Sequence, residues 1–185
     1  MKNALRGFAG LLIQLGSLLV PAVCSQALSS APEAEDALKS VVVLNFLRYS
    51  TWPESAVGNG PLVVGVVGRP SFARFLQTSL ANKTVNGRAI RILEINLPPD
   101  PQCCQLVYIA GTKVSEIRPV LQNMRLAPVL TVGESQAFIE CGGAVNLMLV
   151  DGHMSFEVNL EALKRSEIEI SATLLRFGQI KRRPG

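Results

Sequence analysis

What this chain lacks narrows its chemistry before anything else does. It has a single histidine, His153, and no GxSxG or HExxH sequence, so neither a nucleophile elbow nor a helical zinc site can be drawn. His153 flanks a turn, where a histidine reads as a surface residue rather than a general base. GxGxxG is also missing. The stretch Gly68-Arg69-Pro70-Ser71 has one glycine beside a proline, so it reads as a connection in a parallel sheet rather than a phosphate cradle. There are no internal repeats and no low-complexity tracts. Without a nucleophile and base, a carboxylate pair or a metal set, no catalytic, cofactor or metal residue is assigned, and the chain reads as a binding or regulatory protein.

Apart from the amino terminus, no stretch is long enough to cross a bilayer. Residues 1–27 read as an export signal: Lys2 and Arg6 make a positive start, Phe8 to Val23 is apolar, and Ser25-Gln26-Ala27 offers small residues for cleavage. Gln14 and Pro21 break the apolar run. Val23 before Cys24 is wrong for lipoprotein processing, which points to cleavage after Ala27. Removing Lys2 and Arg6 lowers the formal charge from +4 to +2, too small a surplus to imply nucleic acid or another acidic partner. The expected product is periplasmic, with no membrane insertion of the mature chain. It comprises a linker (28–33), a domain (34–180) and a basic tail (181–185) that includes Lys181, Arg182 and Arg183.

Cleavage would leave Cys103, Cys104 and Cys141, an odd number for an oxidising compartment. The adjacent pair is not a CxxC motif and lacks metal-ligand spacing. A vicinal disulfide, a bridge from one of the pair to Cys141, and plain buried thiols all remain open.

The 48% apolar and 17% charged composition is that of a globular domain. A helix is expected over Ala34–Tyr49, with Ala37, Val41, Leu44 and Arg48 along one side, ended by Trp52-Pro53. Leu62–Val67 reads as a buried parallel strand, followed by a helix that Ser71 could cap and that carries Phe72, Phe75, Leu76 and Leu80. Asn86-Gly87 marks a tight turn before a strand with Ile90, Ile92 and Ile95, and Pro98–Pro101 is a stiff connection. Strands are expected at Leu106–Ala110 and Pro128–Val132, and helices at Ser115–Met124, at Phe138-Ile139, over Glu161–Arg165 and over Ser171–Ile180. Strands alternating with helices imply a single α/β domain, a mixed and mostly parallel sheet with helices on both faces.

The chain is organised around 142–160, GGAVNLMLVDGHMSFEVNL. Asp151-Gly152 is a two-residue hairpin signal, because a type I′ turn needs positive φ at both central positions. That turn pairs Val150 with His153, Leu147 with Phe156 and Asn146 with Glu157. The arm from Ala144 to Val150 is apolar enough to be covered on both sides. The register gathers Asn146, Ser155, Glu157 and Asn159 on one face as a polar cluster that reads as a cap or brace. Glu157 is the most tempting acid. Its plain reading is a strand carboxylate paired to a lysine or arginine from a helix.

Taken in order, several motifs look familiar. They are Asn45-Phe46, Trp52-Pro53, Leu62 to Gly68 followed by Phe72, Asn86-Gly87-Arg88, Cys104 to Ile109, Val129 to Gly133, Gly142-Gly143, Phe156 to Leu160 and Leu174-Leu175. Together they resemble the YfiR-like family of bacterial periplasmic proteins over Ala34 to Ile180. The resemblance implies an α/β domain that binds the periplasmic part of an inner-membrane diguanylate cyclase and holds it inactive, so that release raises cyclic-di-GMP and biofilm formation. It also implies homodimers, and disulfides that support folding and report envelope redox state. Gly65 stands where the family commonly has a cysteine, so Cys104 would lack its usual bridging partner. Candidate interface residues are Tyr49 and Trp52 near the first helix and Phe177 near the last. A different reading is a periplasmic small-molecule binding protein, with the Asn146/Glu157/Asn159 cluster and the Gly68 turn facing a cleft.

Overall fold

The computed structural model describes residues 31–95, 104–111 and 113–181. The helices are α1 (Ala31–Tyr49), α2 (Pro70–Leu80), α3 (Val114–Asn123), α4 (Leu160–Arg165) and α5 (Ala172–Leu175). The strands are β1 (Ser50–Thr51), β2 (Leu62–Val67), β3 (Thr84–Val85), β4 (Arg88–Ile95), β5 (Leu106–Ile109), β6 (Leu130–Gly133), β7 (Val145–Val150), β8 (His153–Asn159), β9 (Glu169–Ile170) and β10 (Gln179–Lys181). Eight strands form one sheet in the order β10-β8-β7-β6-β5-β2-β4-β3, while β1 and β9 pair separately. Only β7/β8 and β3/β4 are antiparallel within the large sheet. The fold is the expected mixed, mostly parallel α/β domain.

Alternation along the central strands builds two cores, as a sheet covered on both faces requires. Val64, Val66, Leu106, Tyr108, Leu130 and Val132 face α1 and α2. Val67, Val107 and Ile109 face α3, where Ile117, Val120, Leu121 and Met124 pack. At the amino ends of the strands, Gln105 acts as a staple. Its Oε1 accepts from the Val63 amide at 2.7 Å, its Nε2 donates to the Ala56 carbonyl at 2.8 Å, and its own carbonyl accepts from Trp52 Nε1 at 2.8 Å. Trp52 is therefore a core residue, not an exposed interface residue. An indole that buries its ring and satisfies its N–H gains on both counts.

Both turn signals are real. Asp151 and Gly152 have φ of 50° and 76°, and Asn86 and Gly87 have 50° and 77°. The hairpin register is the expected one, Val150↔His153, Leu147↔Phe156 and Asn146↔Glu157.

Several expectations need correction. Helix α1 begins at Ala31, inside the segment expected to be linker, and turns a different face inward. Ala37, Val41 and Arg48 are exposed, while Asp36, Lys39, Ser40, Val43, Phe46 and Leu47 are buried, so polar side chains continue the apolar stripe. Ser71 is not the cap of α2: Arg69 takes that position and Pro70 fills the first turn, where its missing N–H costs nothing. Phe138 and Ile139 lie in hydrogen-bonded turns over 136–142 rather than a helix. The last helix stops at Leu175, after which the chain reverses into β10 beside β8. Lys181 is thus a strand residue, not part of a frayed tail. Strand β7 is covered at its base only, with Leu149 and Val150 about half exposed at its tip. The export signal, the Pro98–Pro101 connection, Cys103, Arg182 and Arg183 lie outside the described residues.

The 134–143 connection is pinned by one ring. A Cβ built on Gly143 would stand 2.1 Å from Phe138 Cε1, and one on Gly133 would stand 2.2 Å from Phe138 Cδ2, so the ring lies between two bare stretches of backbone. Gly143→Ala should therefore overpack this site and lower unfolding free energy by about 1–3 kcal/mol. Urea denaturation should show Phe138→Leu recovering part of that loss in the double variant.

Candidate functional site

Binding crevices in open α/β sheets form beyond the carboxyl ends of the strands. Here that edge is crossed by the amino-terminal half of α1, whose polar side chains meet residues leaving the strands. Lys39 reaches Glu134, which follows β6, and also Glu35 one helical turn away at 2.6 Å. Asp36 meets Arg69, which follows β2, at 2.9 Å. The Arg69 guanidinium lies 5.5 Å from the centre of the Phe72 ring, and that ring packs on Tyr108 of β5.

Electrostatics follow from this packing. Burial opposes the charge on Lys39, but hydrogen bonds and charges from Glu134 and then Glu35 outweigh it, holding the ammonium above its usual range. The buried Tyr108 phenol is pushed far up by desolvation, with the Glu134 carboxylate adding to it, so it stays neutral.

Outside this clamp lies an open cleft of about 830 Å³. Its apolar wall comes from Ile139 and from Leu147, Met148, Leu149 and Met154 of the hairpin. Four glutamates (Glu35, Glu134, Glu140 and Glu157) and two lysines (Lys39 and Lys181) make the charged part, so the lining is acidic on balance.

Of the residues singled out in the sequence, Asn146 and Glu157 line this cleft, whereas Asn159 and the Gly68 turn do not. Glu157 pairs with Lys181 at 3.1 Å, a partner from the neighbouring strand β10 and not from a helix. Asn159 is buried, and its Oδ1 accepts from the Ala162 amide at 3.2 Å, capping α4. Asn146 is 2% exposed, and its Oδ1 has no hydrogen-bond partner although it belongs to a cleft-lining residue. His153 sits exposed at the start of β8. Tyr49 and Phe177 are exposed, at 44% and 73%. Cys104 is buried, and a Cβ added at Gly65 would stand 3.0 Å from its Sγ. Cys141 is half-buried, and among the described residues no bridge joins it to Cys104.

Sequence reasoning missed Lys39, Asp36, Arg69 and Glu134. A signal existed: Asp36, Lys39 and Ser40 continue the spacing of Val43, Phe46 and Leu47, so an apolar stripe turns polar without leaving its face.

The α/β domain thus carries, at the carboxyl edge of its sheet, a groove lined by both apolar and charged side chains. Among the described residues no cluster of three or more His, Cys, Asp or Glu could hold a metal, and no helix is long and apolar enough to cross a membrane. Residues 36–179 match the family model described as YfiR/HmsC-like, and the chain belongs to that family. At family level this makes it a regulatory protein connected with diguanylate cyclase control in the periplasm.

Replacing Lys39 by alanine should cost about 2 kcal/mol, less than for a fully buried pair because Glu35 and Glu134 keep contact with water. The sign in pH follows from a raised lysine. Its contribution is fully present below the unfolded value of about 10.4 and is lost as pH rises through the higher folded value. Denaturation curves of the parent and Lys39→Ala should differ by a constant amount between about pH 6 and 9, and by less near pH 11.

Proposed function

We propose that this chain is an exported repressor that grips the periplasmic portion of an inner-membrane diguanylate cyclase and holds it in its inactive form, lowering cyclic-di-GMP and biofilm formation. The observation that carries this reading is the cleft, whose lining combines apolar side chains with charged ones, as a protein–protein contact does. Beside it the hairpin tip leaves Leu149 and Val150 uncovered. The acidic balance suits a partner segment with an apolar centre and flanking lysine or arginine. Repression needs only that one conformation of the cyclase be bound more tightly than the other, and a difference of a few kcal/mol suffices. Residues 1–27 serve as the export signal on this reading. Tyr49 and Phe177 are candidates for further contact with the partner or with a second copy of the chain. Cys103, Cys104 and Cys141 are candidates for redox sensing.

A second reading has its own support. A volume of about 830 Å³ lies within the range of small-molecule sites, and its lining mixes apolar with charged side chains, so the cleft could take a periplasmic metabolite. A thermal-shift screen of small metabolites separates the two, since a ligand of the folded state raises the melting temperature.

Pull-down of the exported chain with envelope proteins should recover a membrane protein carrying a diguanylate cyclase domain. Met148→Glu, which puts a charge in the apolar wall, should weaken that association at least about tenfold without unfolding the chain. Recovery of no such protein would count against the proposal.

A further inference from the structure

On the other side of the 134–143 connection is a cavity of about 210 Å³, lined by Arg118 on α3, Arg125 just beyond it and Arg165 at the end of α4. Arg118 and Gln122 are four residues apart and share one face of α3, and Arg125 follows in the turn after the helix. Arg165 brings α4 to the same lining. Among the described residues none of the three arginines makes an ion pair, whereas the two lysines of the cleft, Lys39 and Lys181, are both paired. Glu140 also lines the cavity but lies beyond ion-pair distance of these arginines. Arg165 is half-buried, and its Nε–H is enclosed with no acceptor. Gly142 leaves the wall bare, since a Cβ built there would stand 4.0 Å from Arg165 Nη2.

The lining sets three arginines against one glutamate, and an excess of like charge in one cavity is unfavourable until something offsets it. A multiply charged anion would offset it. Guanidinium forks match the oxygen spacing of phosphate and bind it in pairs of parallel hydrogen bonds. The volume equals that of about seven liquid waters, enough for a phosphate and the first atoms of what bears it. We propose that this cavity is a receptor for a phosphate-class anion, with the guanidinium groups of Arg118, Arg125 and Arg165 closing on its oxygens. The site shares only Glu140 with the cleft and stands whether or not the cleft holds a cyclase.

Inorganic pyrophosphate is the probe, added to the purified full chain at constant ionic strength with chloride as the reference anion. The melting temperature should rise with pyrophosphate. Calorimetry should show affinity weakened at least about tenfold in Arg118→Gln and in Arg125→Gln, both at exposed positions that the fold does not need. Lys164→Gln, next to Arg165 but outside the cavity, should leave affinity unchanged. Sedimentation with phosphatidylglycerol–phosphatidylcholine vesicles identifies the source. Vesicle binding that pyrophosphate displaces and Arg125→Gln abolishes assigns the phosphate to a lipid headgroup, and pyrophosphate binding without vesicle binding assigns it to a soluble molecule. Either outcome supports the site. Absence of a pyrophosphate response, or equal weakening by Lys164→Gln, overturns it.

Discussion

The contact between Lys39 and Glu134 fastens α1 to the end of β6, and the Asp36–Arg69 pair fastens the same helix to the end of β2. Charges this enclosed are tolerated only when each finds its opposite, so the two pairs leave the helix little choice of rotation. Their position decides what lies above. With α1 held across the carboxyl edge, Glu35 and Lys39 become part of a cleft whose far wall is the hairpin. The remaining half of α1 is held by ordinary burial of Val43, Phe46 and Leu47.

Much of the fold could be read from local chemistry. Asp151-Gly152 and Asn86-Gly87 carry their conformations in their side chains, and a two-residue turn leaves only one register for the arms. Leu62–Val67 announced itself as a central strand by lacking polar residues on either face. Errors arose where distant parts of the chain decide. Apolar side chains occur on both sides of α1, and its inner face is chosen by Arg69 and Glu134, far away in sequence. The run after Ser171 has helical spacing, but β8 offers an open edge that captures Gln179–Lys181 as a strand. Gly178 makes that capture possible, because a Cβ there would stand 2.1 Å from the Phe156 ring.

The candidate site was half legible. Asn146 and Glu157 were found because strand register alone brings them opposite each other. Asn159 belongs to the same face but spends its carbonyl oxygen on capping α4. Lys39 and Glu134 are 95 residues apart in sequence, and nothing local links them. The arginine cavity was equally hidden, since Arg165 and the α3 residues meet only through tertiary packing.

Trp52, the chain's one tryptophan, is committed to the Gln105 carbonyl at the amino edge of the sheet, whereas the cleft opens at the carboxyl edge. Its emission is therefore a gauge of whether β2 and β5 are still joined at their base. A molecule entering the cleft should leave that signal unchanged, so intrinsic fluorescence is expected to follow the integrity of the domain separately from its occupancy.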